Sequence, residues 1–240
     1  MCIIGKKMNL FEVKVTAKKI RRRKILFRVT SVVTSISIVL LLAFYGIVHL
    51  SNSLGAFTVI LDDIDKNKSM SLSEEPTFKN PTTALEGTPM PDMDNTTEAW
   101  LPDDVNDIDG AHNGYNFIAY TFYLKNVGLQ EFDYSSSIDI LAVSQRVDDA
   151  IRVKVYKNGD STVYAKRQRG SNEPEPNTTP FYSDSQVMNV INEGLQPDNM
   201  DKYTIVIWIE GNDPECLNDL LGGRMKLRMR FNIISDKEKN

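Results

Sequence analysis

The sequence predicts a mainly β protein: an antiparallel jelly-roll-like or Greek-key β-sandwich preceded by one transmembrane helix. Three observations carry this. Val29 to Leu50 is a run of 22 residues without a formal charge. Beyond it, short runs alternate apolar and polar residues with the period of half-buried strands. Between two of these runs lies Asn158-Gly159, a pair suited to a hairpin turn because both positions need positive φ.

The apolar run is long enough to cross a bilayer, since 22 helical residues rise about 33 Å against a hydrocarbon core of about 30 Å. Its flanks differ. Lys18, Lys19, Arg21, Arg22, Arg23, Lys24 and Arg28 crowd the N-terminal side. Cations next to a span stay cytoplasmic and attract anionic headgroups. A basic stretch this short, placed beside a span, points to the lipid membrane and not to nucleic acid. Residues 1–50 hold ten Lys/Arg and one acid, Glu12, for a net of +9; residues 51–240 hold eighteen and thirty-one, for −13. Such a split assigns the two parts to different environments. The expected organisation is a basic N-terminus (1–28), the span with its basic flank 18–28 (29–50), and an outer sandwich (51–240). A secretory apolar region runs about 7–15 residues, so the length favours a retained anchor over a cleaved signal. Cys2 and Cys216 then lie on opposite sides of the membrane and cannot pair.

In the outer part, "FTVIL" opens as a first strand. Residues 79–115 read as a long exposed connection. Between Lys79 and Lys125 there is no basic residue and there are eight acids. Trp100 and Leu101 are expected to pin this stretch to the body. "NFIAYTFYLKNVG" and "SIDILAV" follow as strands, and "SQRVDDA" as one helical turn or a bulge. In "IRVKVYKNGDSTVYAKR", Ile151, Val153 and Val155 share one face and Arg152, Lys154 and Tyr156 the other. Residues 168–186 form a second flexible connection, and "VMNVI" a short strand. A Pro-rich turn before Tyr203 has the pattern of a tyrosine corner. "IVIWI" is apolar on both faces, as a strand covered on both sides would be. "DPECLNDLLGG" predicts a short helix with Asp213 as N-cap and Pro214 at its first position. It would tuck Cys216 against the core. In the closing run Met225, Leu227, Met229 and Phe231 face inward. The total is about seven to nine strands.

One motif offers a metal site. "DIDKNKSMSLSE" places Asp63, Asp65, Asn67, Ser69, Ser71 and Glu74 at the ligand positions of a calcium loop. Lys68 stands where that loop needs glycine, and the flanks read as strand and coil. An acidic turn between strands is the favoured reading and calcium the competing one. Asp107, Asp109 and the Gly110 turn offer similar oxygen chemistry within a solvated loop.

Catalytic signatures are sparse. The two histidines are His49, in or beside the span, and His112, in a Gly/Asn turn. They cannot form the paired motif of a zinc protease, and no nucleophile elbow accompanies His112. No phosphate-binding glycine loop occurs. Cys216 reads as a small apolar residue. No catalytic residue is expected.

Two stretches, "AYTFYLKNVG" (119–128) followed by "IDI", and "KYTIVIWIEGNDPEC" (202–216) followed by a closing strand, resemble exported camelysin and TasA-type surface proteins of Gram-positive bacteria. The resemblance implies a jelly-roll sandwich, extracellular location and, for some members, assembly into fibres. Those relatives carry a shorter, cleaved signal. The expected function is therefore a non-enzymatic, membrane-anchored surface or envelope protein, associating with itself or with other envelope proteins. A secreted fibre subunit and a calcium-responsive envelope module or enzyme are the alternatives.

Overall fold

The computed structural model describes residues 10–52, 57–63 and 68–234. The chain divides into two compact units, Met1–Ser51 and Asn52–Asn240.

The first unit is one helix, α1 (Leu10–Asn52), which extends well past the charge-free run in the N-terminal direction. Within it, Arg21–Tyr45 has a mean hydropathy of 2.2 and none of its span is buried. A helix of that length rises about 37 Å. Thr30 and Thr34 donate their hydroxyls to the carbonyls of Phe27 (3.0 Å) and Thr30 (2.8 Å). Two polar side chains of the apolar stretch are thus satisfied by their own helix.

The second unit is a sandwich of two mixed sheets. Its strands are β1 (Phe57–Leu61), β2 (Met70–Ser73), β3 (Ala84–Glu86), β4 (Gly110–Ala111), β5 (Phe117–Asn126) and β6 (Phe132–Val143), then β7 (Ile151–Lys157), β8 (Asp160–Ala165), β9 (Thr179–Pro180), β10 (Gln186–Leu195), β11 (Met200–Ile209) and β12 (Met225–Ile234). One sheet runs β10-β6-β12-β1-β3; the other runs β2-β5-β11-β7-β8-β9, with β4 also on β5. Most pairs are antiparallel, but β1 lies parallel to β12 and β8 parallel to β9. The sandwich is thus mixed where a purely antiparallel one was expected. The described strands outnumber the expectation because β3, β4 and β9 are only two or three residues long, too short to leave a periodic signal.

Alternation fills the space between the sheets. Ile151, Val153 and Val155 of β7, Tyr203, Ile205 and Ile207 of β11, and Met225, Leu227, Met229 and Phe231 of β12 join one buried cluster. A chain of rings runs through it, with Phe122 stacked on Tyr203 at 5.7 Å and Tyr203 against Phe231 at 5.2 Å. Tyr203 does not form a tyrosine corner. Its hydroxyl meets that of Tyr134 at 2.7 Å, and Tyr134 in turn donates to Asp201, so a side-chain network takes the place of a backbone acceptor.

The central position of β11, between β5 and β7, explains its apolar second face. Val206 and Trp208 pack with Ala119 and Val105 on the outer side of the sheet, joined by Leu101, Phe117, Tyr156 and Val163. The cover comes from the 79–115 connection, but not through Trp100, which is 79% exposed. Val105 fills the apolar gap, Asn106 accepts from the Thr204 hydroxyl at 2.8 Å, and His112 places its two ring nitrogens 2.8 Å from the carbonyls of Val105 and Gly110.

The 168–186 connection is also ordered by the body: it contributes β9 and the buried Glu175. The "VMNVI" run grows into β10, which is bulged against β6. After β11 the expected helix is a 3-10 turn, Asn218–Leu220, whose N-cap is Leu217. Asp213 caps a tight turn in place of a longer helix. One oxygen accepts the Glu215 N–H at 2.7 Å and the other is held by Arg152.

Candidate functional site

At one end of the sandwich β1, β5, β7 and β12 begin and β11 ends. Phe57, Ile118, Ile151, Ile207, Met225 and Leu227 point from these strand ends into a cavity of about 470 Å³. Two connections roof it. One brings Met90 and Met93, the other Leu217, Leu220 and Leu221. Leu217 and Leu221 are largely exposed, at 59% and 73%. Size and apolar lining match a small-molecule site.

Polar groups are few and sit around the apolar walls: Asp92, Asp94, Asn95, Cys216, Asn218 and Arg224. The Cys216 thiol is pushed up by burial and then by the Asp213 carboxylate, while Asn95, whose amide lies 3.9 Å from Sγ, pulls it down. A thiol held in its neutral form is a poor nucleophile. Cys216 thus contributes apolar wall, though it is half-buried and not sealed in the core.

Beside the cavity lies a buried charge cluster. Arg152 contacts Asp213 at 2.6 Å and Glu175 at 3.4 Å, and none of the three side chains is more than 5% exposed. Burial raises the pKa of Glu175, as do Asp213 and Glu215, against the pull of Arg152. Glu215 accepts the Arg169 N–H at 2.5 Å with one oxygen, and its other oxygen is buried without a hydrogen-bond partner. This cluster was missed by sequence reasoning. Its one local signal is an arginine flanked by Ile151 and Val153; the acids come from distant loops.

The candidate calcium ligands divide. Asp65 and Asn67 lie outside the described residues. Asp63 has positive φ, at 39°. The Ser69 carbonyl accepts the Val127 N–H at 2.8 Å, Ser71 is in β2 opposite Lys125, and Glu74 accepts the Tyr120 hydroxyl at 2.6 Å. The flanking elements are strands β1 and β2, not helices. Asp109 accepts the Tyr123 hydroxyl at 2.6 Å. Among the described residues no three His, Cys, Asp or Glu side chains form a group able to hold a metal.

No protein-family model and no curated protein matches the chain. Among solved structures, a β-glucosidase from Kluyveromyces marxianus in complex with glucose is 13% identical over 78% of this chain, with a TM-score of 0.27. The selenomethionine-labelled form of that protein is 13% identical over 70%, with a TM-score of 0.26. The chain spans 19% and 17% of the length of these proteins. At such scores neither likeness bears on activity.

Proposed function

We propose that this chain is a single-pass membrane protein of a Gram-positive envelope, with its N-terminus cytoplasmic and its sandwich outside, acting as a non-enzymatic interaction module. The observation that carries the reading is α1. Its apolar stretch Arg21–Tyr45 is unburied along its length, and the cations gather at the N-terminal end alone. An apolar helix with exposed side chains has lipid as its natural solvent, and the cationic end stays inside. The acidic sandwich, net −13 over residues 51–240, suits the outer side. β1 also supports an anchored role over a fibre role, because its Phe57, Val59 and Leu61 already fill the core of their own sandwich.

Protease treatment of intact cells tests this. The sandwich should be digested from outside while a membrane-protected fragment containing α1 survives. Recovery of the protein in the medium, shortened by about 5 kDa as removal of a leader would give, overturns the anchor and leaves a secreted subunit.

A further inference from the structure

We propose that the cavity at the end of the sandwich binds a single aliphatic chain carrying a cationic or uncharged head. The inference rests on the reading of the sandwich as an interaction module and names the ligand class of its site.

The walls decide the chain. Isoleucine, leucine, valine and methionine supply twelve of the twenty-two lining residues, and Phe57 is the one aromatic ring. That ring is already engaged edge-on with Tyr120 at 6.2 Å. A flat aromatic ligand finds no free ring to stack on, whereas a flexible alkyl chain finds aliphatic side chains on both the strand-end walls and the roof. Met90 and Met93 add unbranched, adaptable side chains at the roof. The space equals roughly sixteen waters at about 30 Å³ each, yet so apolar a space gives water few partners. An alkyl chain fills it at a gain of about fourfold in affinity per buried methylene.

The mouth decides the head. Asp92 and Asp94 are exposed there against one cation, Arg224. The wider domain is acidic as well, which concentrates cations and repels anions. A carboxylate or sulfate head meets repulsion at both ranges. Two sources supply such a ligand: a membrane lipid with a neutral head, or a free alkylammonium.

The test uses the full chain in lipid nanodiscs with three photoreactive probes of equal chain length. These are an alkyl trimethylammonium, an alkyl carboxylate and a phosphatidylcholine with the reactive group in one tail. Labelled peptides are mapped by mass spectrometry. The alkylammonium is expected to label the segments bearing Met90, Met93 and Leu217 to Leu221, at least several-fold above the carboxylate. Labelling of the same segments by the phosphatidylcholine supports the proposal with membrane lipid as the source. In parallel, the alkylammonium should slow alkylation of Cys216 several-fold, and tetramethylammonium should not. Met93→Trp, which fills the roof, should abolish both effects. Should that variant misfold, the wild-type map and the Cys216 rates still decide. Labelling confined to α1, equal labelling by the carboxylate, or an unchanged Cys216 rate overturns the proposal. The protease test of topology is independent, so either reading can fail alone.

Discussion

Arg152 and Asp213 meet at 2.6 Å with side chains 5% and 0% exposed, joining the outward-facing side of β7 to the corner that follows β11. Removing one partner of such a pair leaves an uncompensated buried charge. Arg152→Met leaves Asp213 and Glu175 facing each other without their cation. Chemical denaturation should show a loss of about 3–5 kcal/mol.

Glu175 gives the cluster a pH dependence. Its pKa is raised in the fold, first by burial and next by Asp213. A carboxyl raised above its unfolded value binds more protons folded than unfolded. Its contribution is present at low pH, declines as pH rises from the ordinary carboxylate range, and is lost above the raised value. Glu175→Gln should therefore flatten the fall in Tm over the window that opens near the ordinary carboxylate pKa of about 4.3 and extends upward from it. Thermal melts across that window check it.

The two tryptophans should behave oppositely. Trp208 is fully buried on the outer side of its sheet, and its indole N–H reaches Glu210 at 3.0 Å. Trp208→Ala should cost about 3–5 kcal/mol. Trp100 is 79% exposed, and Trp100→Ala should stay within about 0.5 kcal/mol of wild type. Denaturant midpoints of the two variants make the comparison.

The hairpin turn between β7 and β8 carries more than its turn. Asn158 and Gly159 have φ of 52° and 98°, a conformation glycine adopts without strain at both positions. Asn158 also donates to Asp201 at 2.6 Å and accepts the Lys202 N–H at 2.8 Å. Asn158→Gly keeps the turn and removes both bonds. Equilibrium unfolding should show a loss of about 1–3 kcal/mol.

Glu74 separates a structural role from a calcium role. Its carboxylate already accepts the Tyr120 hydroxyl, a group 0% exposed as a residue. Glu74→Ala should lower stability by about 1 kcal/mol in chelator-treated buffer. A loss seen only when calcium is present would assign Glu74 to the metal instead. Thermal melts with and without calcium distinguish the two.

Patterns with a short period were legible in advance. The faces of β7, β11 and β12 follow from alternation, because neighbouring side chains on a strand point to opposite sides. The Asn158-Gly159 turn follows from local backbone preference. The sequence read alone also identified the segment able to cross a membrane, since hydropathy over 22 residues is a local property. What it could not reach depends on partners far along the chain. Trp100 and Leu101 both looked like anchors by residue type; Leu101 packs there with Val105 and Asn106 while Trp100 stays exposed, because outer-face cover depends on which loop residues meet Val206, Trp208 and Thr204. Asp213 looked like a helix cap and does cap a tight turn, but its pairing with Arg152, 61 positions away, left no local sign. The parallel neighbours β1 and β12, the Arg152 cluster and the cavity walls likewise arise only when distant segments assemble. By itself the sequence determined most of the longer strands, their faces and the apolar helix; only the tertiary structure decided which faces meet and what space they leave between them.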